Sequence, residues 1–118
     1  MAERQDYPRA TIPATSGYSG WIDKRGKAVV GVVTPASWTG ASAIAVKGRL
    51  KAGVGEGVIY DDQGTQITLT ADAGRFIRLD ERLFQGVNEL SFASDGQAST
   101  RELIIVLRDE DDLIGQGL

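Results

Sequence analysis

Between residues 21 and 107, apolar side chains recur at every second position or in short runs, and Gly, Pro, Asp or Asn separates one run from the next. Side chains two apart share one face of a strand, and no stretch carries the 3.6-residue period of a long helix, so the pattern predicts strands throughout. AVVGVV at 28–33 is largely β-branched and lies between Arg25-Gly26-Lys27 and Thr34-Pro35, which predicts a buried strand behind a turn. Trp21 and Ile22 supply the strand before that turn, so residues 21–33 predict a hairpin. In the next segment Ile44, Val46, Gly48 and Leu50 alternate with Ala45, Lys47 and Arg49, a half-buried strand with a basic outer row.

Residues 58–60 and 66–70 predict a second hairpin around Asp61-Asp62-Gln63-Gly64. A reversal at 71–74 leads to a strand at 75–79. Asp80, the acid after it and Gly86 are the start and stop signals of one helical turn, which would set Leu83 and Phe84 over the end of the core. Two more strands, 88–94 and 101–107, flank Asp95-Gly96-Gln97. Many short strands at regular intervals predict an all-β fold: a single-domain antiparallel β-sandwich, jelly-roll-like or Ig-like.

The ends read differently. Residues 1–20 contain Pro8, Pro13, several Ser and Thr and only short apolar islands, which predicts an extended N-terminal arm or at most an edge strand. Residues 108–118 carry Arg108 against Asp109, Glu110, Asp111 and Asp112, while residues 1–107 hold 12 basic and 12 acidic side chains. The formal charge of −3 therefore belongs to an acidic C-terminal tail on a neutral β body, residues 21–107.

Composition removes most chemistry. The 118 residues include no His and no Cys, hence no imidazole base or ligand, no thiolate, no zinc knuckle and no disulfide. Asp61 and Asp62 are adjacent and lack the alternation of a calcium loop, so a solvated turn is the reading for them. Serines have no His or Ser-x-x-Lys partner, and no Gly-rich run precedes a helix to cradle phosphate. The expectation is a protein that is not an enzyme and needs no cofactor or metal. A neutral-to-acidic balance argues against nucleic acid, and no apolar run approaches the ~18 residues of a membrane span. The mixed charge at residues 1–10 predicts a chain made in the cytoplasm without a signal peptide.

Binding candidates remain. Tyr18, Trp21, Trp38 and Tyr60 could stack on sugar or fill the core; for a small sandwich core packing is the leading reading, with loop residue Trp38 the most open of the four. Lys47, Arg49 and Lys51 would keep a sheet surface soluble, or meet an acidic partner such as Asp109 and Asp111 in the tail of a neighbouring copy.

Taken in order, ATIPATSG at 10–17, AVVGVVTPASWTGAS at 28–42, VIYDDQGTQITLTA at 58–71 and GRFIRLDERLFQGVNELSFASDG at 74–96 resemble a family of small β-sandwich virion proteins of tailed bacteriophages. The resemblance covers about residues 9–107. The chain departs from it at AIAVKGRLKAGVG (43–55), where Val46 replaces an aromatic, and after Ser94, where the connection to Arg101 is shorter. It implies a virion protein on the capsid surface, a decoration or cement protein that contacts the major capsid protein and other copies of itself, with a trimer as the family-level expectation. In such a role Tyr7, Ile12, Tyr18 and Trp21 would be buried as the arm docks on a partner. A neck or tail adaptor or fibre-base protein, and a carbohydrate-binding module for host attachment, are the alternatives.

Overall fold

The computed structural model describes residues 5–14, 17–39, 43–94 and 97–109. Among these residues ten strands form two antiparallel sheets and there is no helix. The strands are β1 (Gln5–Asp6), β2 (Arg9–Ile12), β3 (Ile22–Asp23), β4 (Ala28–Val33), β5 (Ala43–Arg49), β6 (Gly57–Val58), β7 (Thr68–Thr70), β8 (Phe76–Arg78), β9 (Glu89–Ala93) and β10 (Arg101–Arg108). In the first sheet β1 and β2 lie end to end along one side of β10, followed by β4 and then β8. In the second the order is β3, β9, β5, with β6 and β7 end to end along β5.

The core lies between the sheets. Ala10, Ile12, Val29, Val32, Leu103, Ile105 and Leu107 face inward from the first, and Ile44, Val46, Leu69, Leu90 and Phe92 from the second. The alternation read in β5 holds through Gly48. A Cβ on Gly48 would lie 2.6 Å from Val87 Cγ1, so the backbone there is packed too closely for any side chain. Leu50 breaks the pattern: it lies past the end of β5, where its N–H donates to the Val54 carbonyl in a tight turn, and its side chain is exposed.

Both predicted hairpins are altered. Arg25 and Gly26 do reverse the chain with positive φ (56° and 72°), and Lys27 N–H closes the turn on Lys24 O at 2.9 Å. The two arms of that turn then part: Lys24 N–H bonds Asn88 O, which ties β3 to β9, while β4 joins β10 in the opposite sheet. A turn sets the reversal; the partner strands decide where each arm goes. In the second case β6 and β7 both pair with β5, and residues 59–67 leave that line as a protruding hairpin closed by Ile67 N–H to Ile59 O and Asp61 N–H to Thr65 O. Asp61 caps its tip, accepting from Gln63 and Thr65 N–H.

Residues 80–87 form a series of overlapping four-residue hydrogen-bonded turns instead of a helical turn. Asp80 Oδ1 accepts from Arg82 N–H, and Leu83, Gln85 and Val87 each donate three residues back. Phe84 is buried and Leu83 packs on the core, closing one end of the sandwich as their position implied. Gly86, at φ 84°, ends the series.

The boundary at residue 20 cuts through the sandwich. Arg9–Ile12 pair with Arg101–Ile104 of β10, and Ala10 and Ile12 are fully buried in the chain's own core. Strand β10 likewise continues through Arg108. Residues 9–12 are thus an integral edge strand, because alternate Ala10 and Ile12 carry apolar surface that the core covers.

Candidate interaction surfaces

The outer face of the second sheet brings together Tyr18, Trp21, Lys47 and Arg49 among the predicted binding residues, and it uses them internally. Residues 18–23 run along β9: Tyr18 bridges Ala93, Ser19 N–H bonds Phe92 O at 2.7 Å, and Ser91 Oγ donates to Ser19 O. Tyr18 and Trp21 are thereby laid against the basic row of β5. Lys47 Nζ lies 4.6 Å from the centroid of the Tyr18 ring, and the Arg49 guanidinium 4.2 Å from that of Trp21. Arg49 Nε also donates to Glu89 Oε1 at 2.6 Å, with Glu56 at 3.6 Å. Arg49, stacked on a ring and paired with carboxylates, is largely spent as a partner for an outside acid, and Lys47 is held over the Tyr18 ring. Lys51 is exposed beside Val54.

Trp38 is buried, 3% exposed, and belongs to the core; its Nε1 has no hydrogen-bond partner among the described residues. Ile12 is in the core as well, so neither side chain is presented to a partner. With Trp38 enclosed and Tyr18 and Trp21 each carrying a cation on the ring, the aromatic platforms proposed for sugar stacking are reduced to Tyr60, 57% exposed on the protruding hairpin. Asp109 lies 3.9 Å from Lys27 Nζ of its own chain. Asp111 lies outside the described residues.

Beside Trp38 a polar clamp fastens the loop to β10. Gln97 is buried; its Oε1 accepts from Thr39 N–H at 2.9 Å and its Nε2 donates to Ser94 Oγ and, at 3.4 Å, to Thr39 O. Arg101 Nη2 and Ala98 N–H both donate to Thr39 Oγ1. One Gln side chain thus serves both main-chain groups of Thr39 as a strand neighbour would.

Among the described residues two exposed apolar surfaces remain, and the sequence pattern points to only part of each. At one end of the second sheet Leu50 (47% exposed), Val54 and Tyr60 stand out, and Leu50 and Tyr60 line a shallow depression of about 220 Å³ with Ile59 and Val87. On the outer face of the first sheet, Phe76 (59% exposed) on β8 and Tyr7 (56% exposed) mark opposite edges. Between them lie the half-buried Val33 and Ile104, with Val33 opposite both Phe76 and Ile104. The signal for Phe76 was in the alternation: Ile77 and Leu79 share the core-facing side of RFIRL, which leaves Phe76 outside with Arg78.

No group of three or more acidic, His or Cys side chains that could hold a metal occurs among the described residues. Comparison with known protein families, curated proteins and solved structures finds no match to this chain.

Proposed function

We propose that this chain is a structural protein of a tailed-phage virion that binds the outside of the capsid as a decoration or cement protein. The observation that carries the reading is the pair of separate exposed apolar surfaces, Leu50–Val54–Tyr60 at the end of one sheet and Phe76 beside half-buried Val33 and Ile104 on the other, on a small body without His or Cys. Exposed apolar groups gathered into patches mark protein interfaces, and a protein that ties a lattice together needs one surface for the lattice and one for a neighbour. The resemblance of residues 9–107 to small phage β-sandwich proteins supports the same reading. Leu50, Val54 and Tyr60 sit on tight turns and a protruding hairpin, the parts best placed to enter a groove between capsid subunits.

The test is copy number and occupancy. Densitometry of purified virions should give hundreds of copies per particle, and Tyr60→Asp with Leu50→Asp should fold yet fail to load onto capsids lacking the protein. A few copies per particle would instead favour a neck or tail adaptor. Full loading by the double variant would remove the assigned surface.

A further inference from the structure

The β8 edge of the first sheet is open. Thr34 N–H donates to Arg75 O and Leu79 N–H to Val30 O, so in antiparallel alternation the N–H and C=O of Phe76 and Arg78 point away from β4, and no described strand follows β8. Beside these groups stands exposed Phe76, next to half-buried Val33 and Ile104. The charges on the strand and its flanks are Arg75, held 3.7 Å from Asp72; Arg78; and, beyond the strand, Asp80, Glu81 and Arg82. Arg78 is exposed and makes no ion pair or hydrogen bond through its guanidinium among the described residues. Three further arginines belong to the same sheet: Arg9, 2.9 Å from Glu102; Arg101, which donates to Thr39 Oγ1 and Ser99 Oγ; and Arg108, whose Nε is buried without a partner among the described residues.

An unpaired edge with an apolar ring and an unpaired Arg suits an extended segment that is acidic and then aliphatic, since main-chain pairing gives affinity and the side chains give selectivity. The chain carries such a segment itself: Asp109-Glu110-Asp111-Asp112-Leu113-Ile114. Lys47 and Arg49, the first expected targets for these acids, are engaged within their own sheet. Residues 110–118 are long enough to reach a neighbouring molecule, up to about 30 Å when extended. We propose that the acidic–aliphatic C-terminal segment of one copy docks along the β8 edge of another, with Asp111 or Asp112 facing Arg78 and the residue two further on, Leu113 or Ile114, covering Phe76. The proposal rests on the reading of this protein as an adhesive structural part and names one partner of that role.

Sedimentation velocity on the purified full-length chain, without capsids, separates failure of this contact from failure of the capsid assignment. The wild type should associate with rising concentration and dissociate with salt. Arg78→Glu, or Asp111→Lys with Asp112→Lys, should each weaken association at least tenfold with unchanged thermal melting. An equimolar mixture of the two variants should recover it, because each edge then meets a tail of opposite sign. A wild type that stays monomeric, variants that associate like it, or a mixture that does not recover would each overturn the proposal.

Discussion

Cε1 of Phe76 lies 2.6 Å from the point that a Cβ on Gly31 would occupy, so the ring rests on the bare backbone of the neighbouring strand. Gly31 faces outward and Phe76 is exposed, which lets the ring swing aside. Gly48 is crowded by Val87 and Ile59 on the core side, where both neighbours are packed. Gly31→Ala is therefore expected to cost less than about 1 kcal/mol and Gly48→Ala about 1–3 kcal/mol. Urea unfolding midpoints at constant slope compare the two.

Strand β2 belongs to the folding unit. Ile12→Ala should destabilise by about 2–5 kcal/mol, the range for truncating a fully buried aliphatic side chain. Deleting residues 2–17, which an arm would tolerate, should leave a body without cooperative unfolding, because it strips β10 of an edge partner and opens the core at Ala10 and Ile12. A sharp thermal transition in the deletion variant would contradict this.

Gln97 answers both main-chain groups of Thr39 from a buried position. Gln97→Ala leaves those groups and Ser94 short of partners and is expected to cost about 1–3 kcal/mol. Faster hydrogen exchange at the Thr39 amide would locate the loss.

Charge reversal on the basic row should show in stability. Arg49→Glu places a carboxylate beside Glu89 and Glu56 and removes the cation over Trp21, an expected loss of about 1–2 kcal/mol. Lys47→Glu loses only the contact with Tyr18 and should cost about 0.5–1 kcal/mol. Neither should change self-association, since the acids of the tail are assigned to Arg78. A large change in sedimentation with either variant would return the tail to β5.

Alternation and turn residues determined the strands and their inward faces. β4, β5, β8, β9 and β10 lie where apolar runs, alternation and turn residues put them, and Ile44 and Val46 are buried because local spacing alone sets which side of a strand a residue takes. Tertiary structure decided the partners. The Arg25-Gly26 turn has hairpin chemistry, yet its arms enter different sheets, since β3 is claimed by β9 and β4 by β10, both far along the chain. In the same way Ala10 and Ile12 read as islands in an arm until β10 gives them a ladder, and Lys47 and Arg49 read as a free basic row until residues 18–21, paired along β9, lay two rings against them. Side-chain direction is a property of neighbours in sequence. Pairing, and with it the choice of which charges and rings are left for a partner, depends on backbone groups brought together from opposite ends of the chain.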